Sequence, residues 1–150
     1  MIGRLASIDA ELRSGGGMNY WKAQTLMASA RFPHKGKPIG NNTRLYDNDG
    51  YYTIRLHNNV IMEIHRDGFF PMDAGWQTVT TKARLNEHME VGHIHQRDFT
   101  WYYTIGDTEY LWSDVYFVSM HLLPHQYPPK TQVMSQSEYR AWKETWEVEE

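Results

Sequence analysis

The sequence predicts an α+β domain: a twisted antiparallel β-meander of about six strands, with an N-terminal helix, a short helix crossing the sheet and a C-terminal amphipathic helix. Three observations carry that expectation. The turn signals DNDG (47–50), HNN (57–59) and RDG (66–68) punctuate short β-rich runs in the middle of the chain. Segments with helical spacing and helix-start residues lie on either side of those runs and at the C-terminus. The length of 150 residues suits one continuous core, and 6 Trp, 10 Tyr and 5 Phe supply large side chains to fill it.

Residues 1–17 read as a flexible extension, because SGGG at 14–17 breaks any regular element. MNYWKAQTLMASARF follows, with Trp21, Leu26, Met27 and Phe32 among good helix formers, and is expected to be helical. The stretch PHKGKPIGNNT holds two prolines and two glycines and is expected to be an ordered loop.

Strand register in the meander follows from asking which loop lengths give each sheet face one character. A three-residue loop at Asn58, Asn59 and Val60 sets Arg55 opposite Glu63 and collects Tyr52, Ile54, Leu56, Met62 and Ile64 on one apolar face. A three-residue loop at Arg66, Asp67 and Gly68, with Gly68 in the left-handed position, adds Phe70 and Met72 to that face. Trp76, at the end of the meander, is expected to lie over the core.

In QTVTTKARLNEHM, Thr80 or Thr81 is the expected N-cap of a short helix running to about Glu90. VGHIHQR, FTWYYTI and YLWSDVYFVSMHL read as three further strands, with GDTE as the turn between the last two. LPHQYPPK ends regular structure. SQSEYRAWKETWEVEE then opens on a capping box, Ser135 to Glu138. Its Tyr139, Trp142 and Trp146 form a helical stripe that needs a surface to pack on and is a candidate partner interface. The expected organisation is an extension at 1–17, a core domain at 18–126, and a linker with the C-terminal helix at 127–150.

Composition narrows the function. No run of about 18 apolar residues is present, and the N-terminus lacks the apolar region of a secretory signal, so no membrane partner and a cytoplasmic location are expected. Cysteine is absent, which excludes disulfides and thiolate metal sites. There is no glycine-rich phosphate loop ending in Lys-Ser/Thr and no nucleophile elbow.

His93 and His95 share one side of their strand, as a metal pair would, but the sequence supplies no third ligand at a fixed spacing. A metal-dependent hydrolase built on these two residues is the weaker reading, and no metal or other cofactor is expected.

Charge is distributed unevenly. From Leu12 to Tyr46 there is no acid, while Arg13, Lys22, Arg31, Lys35, Lys37 and Arg44 are basic. A basic segment on an otherwise acidic chain suits a face that meets an anion. TTKAR adds Lys82 and Arg84 near a helix start, where the dipole disfavours cations unless an anion sits there too. The candidate anion-binding set is therefore Lys35, Lys37, Arg44, Lys82 and Arg84 for charge, with Asn41, Asn42, Thr80 and Thr81 as oriented donors.

GNNTRL, DGYYTIRLHNNVIMEIHRDGFF and AGWQTVTTKARLNEHM, within residues 40–89, together with FTWYYT and YLWSDVYFV further on, resemble a small module of uncharacterised bacteriophage and viral proteins. Two positions depart from its pattern: Ala74 stands where the module has a second glycine, and Asn58-Asn59 where a threonine is common. The resemblance implies a phage-encoded accessory protein, and small phage proteins of this kind bind nucleic acid, host machinery or a defence component. The reading that combines it with the charge pattern is a non-enzymatic protein binding nucleic acid or a nucleotide. The alternative is a protein-binding inhibitor of a host or anti-phage defence enzyme. Self-association is left open.

Overall fold

The computed structural model describes residues 17–121 and 130–148. Apart from Gly17, the expected N-terminal extension lies outside the described residues, as does most of LPHQYPPK. Among the described residues there are three α-helices and ten strands in an antiparallel α+β arrangement. The helices are α1 (Tyr20–Ala28), α2 (Val79–His88) and α3 (Gln136–Val148). The strands are β1 (Lys37–Gly40), β2 (Thr43–Asp47), β3 (Tyr52–Leu56), β4 (Asn59–His65), β5 (Gly68–Pro71), β6 (His93–Arg97), β7 (Thr100–Ile105), β8 (Thr108–Leu111), β9 (Phe117–His121) and β10 (Lys130–Met134). They form a seven-stranded sheet ordered β1-β2-β3-β4-β5-β9-β10 and a three-stranded sheet ordered β6-β7-β8.

Three features account for most of the excess over the expected six or so strands. β1 forms inside the expected Pro/Gly loop, where Pro38 is tolerated because the strand lies at the sheet edge. The run from Tyr110 to His121 is cut by a 3₁₀ turn at Trp112–Asp114, which sends β8 and β9 to different sheets. β10 pairs with β9 beyond the proline-rich stretch, where regular structure was expected to stop.

Both expected hairpin registers are corrected. β3 and β4 are joined by a two-residue turn, His57 and Asn58, both with positive φ (50° and 69°). That turn alone would swap the faces of β4. Ile61 restores them by standing as an unpaired extra residue, a β-bulge between Val60 opposite Arg55 and Met62 opposite Ile54. The apolar face therefore survives in a register two residues away from the expected one, and Arg55 meets Val60 instead of Glu63.

The β4–β5 turn is also two residues long, setting His65 opposite Gly68 and Ile64 opposite Phe69. Phe69 consequently enters the core and Phe70 turns to the other face. Gly68 is required by close approach, since a Cβ there would meet the Val118 carbonyl and the Phe117 ring of β9.

One continuous hydrophobic cluster links the two sheets and the helices. It includes Tyr20, Ala23 and Met27 of α1, Leu45, Ile54 and Ile64 of the larger sheet, Leu85 of α2, and Ile94, Trp101 and Tyr103 of the smaller one. α1 begins where Asn19 accepts a hydrogen bond from the Lys22 N–H at 2.8 Å. α2 is capped by Thr78, whose hydroxyl accepts from the Thr81 N–H at 3.1 Å. The cap therefore lies two or three residues before the expected Thr80 or Thr81, which sit inside the first turn.

α2 also joins the sheets by polar contacts. Asn86 receives the Ile94 N–H at 2.7 Å and donates to the Ile94 carbonyl at 2.9 Å, closing both backbone groups of a β6 residue. His88, near the end of α2, is buried, and desolvation holds its pKa below the ordinary imidazole value; Glu87 opposes that shift and Arg84 adds to it.

The outer face of the larger sheet is covered at one end. The capping box forms as expected, with Ser135 N–H to Glu138 Oε1 at 3.0 Å and Glu138 N–H to Ser135 Oγ at 3.3 Å. It starts α3, whose Tyr139 and Trp142 rings pack on Phe117 at 5.0 and 5.8 Å. Tyr139 also meets Phe70 and Tyr116. Two of the three residues named as a partner interface thus rest against the protein's own sheet, and the side chain of Trp146 lies outside the described ones.

Candidate anion-binding site

The other end of that sheet is formed by β1 to β3. The β2–β3 ladder places Arg44 directly opposite Arg55, with Tyr46 opposite Thr53 beside them. Like charges directly opposite in a sheet repel. The Arg55 guanidinium carbon lies 4.2 Å from the Tyr46 ring centroid. Its Nε is shielded from solvent and has no hydrogen-bond partner among the described residues. Arg44 Nη1 donates to the carbonyls of Lys35 (3.2 Å) and Gly36 (3.4 Å), so its guanidinium is held in place by the 3₁₀ turn at Pro33–Lys35.

Two tight turns close the end of the site. Asn42 has φ 54° in the β1–β2 turn, and its carbonyl accepts the His57 N–H at 2.9 Å, tying that turn to the His57-Asn58 turn. Asn and His tolerate such left-handed positions better than bulkier residues. The result is a cavity of about 240 Å³ lined by Asn42, Arg44, Tyr46, Arg55, His57 and Asn58. None of its lining residues carries a carboxylate. The chemistry is two guanidinium groups, two side-chain amides and an imidazole around one concave surface, which suits a phosphate or another oxyanion.

A second cavity, about 400 Å³, adjoins the first through His57. Leu56 and Ile61 supply its apolar part, and Asn59, Asp73, Trp76 and Thr80 its rim. Asp73 organises the loop that bears Trp76. Its carboxylate accepts from the Gly75 N–H (2.8 Å), Gln77 Nε2 (3.0 Å) and Trp112 Nε1 (3.0 Å). Partial burial raises its pKa, but these hydrogen bonds outweigh burial and hold it below the usual carboxylate value. Ala74 and Gly75 follow with φ 56° and 82°, so Ala74 adopts a left-handed backbone without being glycine. Trp76 is 62% exposed, not laid over the core.

The residues singled out in the sequence fall into three groups. Arg44 and Asn42 line the arginine cavity, and Thr80 and Thr81 line its neighbour, with Thr81 itself buried. Asn41 is in the β1–β2 turn and Lys35 is beside Arg44, with its Nζ 5.2 Å from the Phe32 ring. Lys37, Lys82 and Arg84 point elsewhere. Lys37 Nζ reaches Ser29 Oγ (2.6 Å) and the Leu26 carbonyl (3.3 Å) at the end of α1. Lys82 reaches Gln96 Oε1 (3.5 Å), and Arg84 reaches Thr43 Oγ1 (3.2 Å) and Glu87 (3.5 Å). Arg55, His57 and Asn58 carry no expectation of a site in the sequence reading, and Trp76 is expected there in the core. The DNDG turn held a signal for the first: closing β2 on β3 across it sets Arg44 against Arg55.

His93 and His95 lie on the exposed side of β6. His95 Nε2 is 2.9 Å from Thr104 Oγ1 and 3.3 Å from Glu109, and Arg97 pairs with the same Glu109 at 2.9 Å. Hydrogen bonding to Arg97 holds the Glu109 carboxyl below its usual pKa. Among the described residues, no three His, Asp or Glu side chains converge as a metal site would need. Among them, too, no helix is long and apolar enough to cross a membrane.

Comparison with known proteins yields no match among curated proteins and none among solved structures. The family model described as Kyanoviridae Gp96 protein matches residues 22–123, a span that runs from α1 through β9 and takes in both cavities. On that match the chain belongs to the Kyanoviridae Gp96 family and is a phage protein.

Proposed function

We propose that this phage protein binds an anionic partner, nucleic acid or a nucleotide, through the Arg44–Arg55 cavity, without catalysing a reaction on it. The observation that carries the reading is the cross-strand arginine pair over a cavity whose described lining holds no carboxylate, with Arg55 Nε shielded and without a hydrogen-bond partner among the described residues. An oxyanion there relieves the repulsion between the guanidinium groups and supplies the missing acceptor. The acid-free stretch from Leu12 to Tyr46 adds a field of the right sign around it.

Fluorescence anisotropy with a labelled short single-stranded oligonucleotide, read at about 50 and 200 mM salt, tests the reading. Binding is expected to weaken steeply with salt. Arg44→Glu with Arg55→Glu should lower the affinity and reduce the slope of log K against log salt by about two. Equal binding by the double variant, or none by the wild type at low salt, overturns it.

A further inference from the structure

We infer that the cavity beside Trp76 receives a nucleobase, so that the ligand is a nucleoside phosphate bent over the His57-Asn58 turn, with its phosphate at Arg44 and Arg55. The inference rests on the anion reading above and names the chemistry of the ligand's other half.

Proximity is the first support. His57 lines both cavities, so they meet at the end of the β3–β4 hairpin. Size is the second: about 400 Å³ falls within the roughly 300–1,000 Å³ typical of small-ligand sites.

The third support is the state of Trp76. Its loop is fixed by four hydrogen bonds to Asp73: three to the carboxylate, and one from the Trp76 N–H to the Asp73 carbonyl at 2.8 Å. A backbone ordered to this degree nevertheless leaves the indole exposed at the mouth of an apolar cavity. An exposed aromatic ring on an ordered loop, in a cavity that shares His57 with the basic one, is an arrangement that stacks a base. The polar rim suits the base edge: the Asn59 amide, the His57 imidazole and the Thr80 hydroxyl offer both donors and acceptors. Asp73 is occupied by its own loop and is not needed for the contact.

The experiment compares a labelled thymidine oligomer with an abasic oligomer of the same length, which keeps the phosphates and loses the bases. The wild type should bind the thymidine oligomer about fivefold or more tightly than the abasic one, the low end of what stacking one base contributes. Trp76→Ala should erase that difference without weakening abasic binding, and Trp76→Phe should restore most of it. Thymidine monophosphate as competitor separates the sources of the base. Displacement at concentrations near the oligomer's own affinity assigns a free nucleotide, and failure to displace assigns a strand.

Equal binding of the two oligomers, or unchanged discrimination in Trp76→Ala, overturns the base-binding inference. In either case, loss of binding in the Arg44→Glu, Arg55→Glu variant leaves the anion reading standing. No binding of any oligomer overturns both.

Discussion

The two sheets treat exposed charge in opposite ways. On the smaller one, Arg97 and His95 share Glu109, and Arg97 and His95 also lie against the Tyr102 ring. Every charged side chain in that group has a partner of the other sign. On the larger sheet, Arg44 faces Arg55 with no carboxylate in the cavity they line. Both faces are strand surfaces with aromatic support, so secondary structure does not explain the difference. A balanced face needs nothing added to it, whereas on the proposed reading the unbalanced one is completed by an anion.

The largest way to break the comparison is to separate the sheets. Asn86→Ala removes both hydrogen bonds from α2 to Ile94 and leaves a buried strand's N–H and carbonyl unsatisfied, a loss of about 2–3 kcal/mol. Chemical denaturation should show that loss, while the oligonucleotide affinity of the folded variant stays at the wild-type value, because the arginine cavity lies wholly on the larger sheet. A parallel loss of affinity would show that the site depends on the smaller sheet.

Reversing one charge sharpens the contrast. Arg44→Glu makes the larger sheet resemble the smaller one, replacing repulsion by a cross-strand ion pair worth about 0.2–1 kcal/mol. The variant should melt slightly above the wild type and bind the oligonucleotide about tenfold more weakly. Glu109→Gln on the smaller sheet should leave affinity unchanged. Stability and binding moving together in Arg44→Glu would contradict the idea that the arginine pair is kept for a ligand at the expense of the fold.

Acid acts on the element between the sheets. His88 has a folded pKa below the ordinary value of about 6.5. Above that pH neither state carries the proton and the shift has no effect. Below it the unfolded chain takes up a proton that the folded chain does not, so stability falls as pH drops from about 6.5 toward the folded pKa. His88→Leu should flatten that part of the melting-temperature profile. An unchanged profile would place the acid sensitivity elsewhere.

Local chemistry was the legible part of this fold. The Ser135–Glu138 capping box needs only four neighbouring residues and is present as read. The existence of a turn near HNN and another near RDG, and the apolar face of β3, were readable because each depends on one short stretch. Register was not readable, since Ile61 sits in the run Val60-Ile61-Met62 and an extra apolar residue there leaves no break in the pattern. Phe69 and Phe70 are equally suited to a core. What assigns Phe70 to the outer face is Tyr139, a contact made 69 positions further along the chain.

The candidate site was half legible for the same reason. Charge runs pointed to Arg44, but the expected Arg55–Glu63 pair made Arg55 look satisfied and hid it. Lys82 and Arg84 lie near a helix start in the sequence, but Thr78 caps that helix and the cations are directed toward Gln96 and Thr43.

The Ile61 bulge reaches further than its own hairpin. Its carbonyl accepts the Met72 N–H at 2.8 Å, which directs the chain from β5 into the Asp73–Trp76 loop, and its side chain lines the larger cavity. A relative lacking this one residue could still close the hairpin and keep a sheet, yet it would aim the tryptophan loop differently. In such a lineage, the gain or loss of a single codon would separate members that carry the cavity from members that carry only the scaffold.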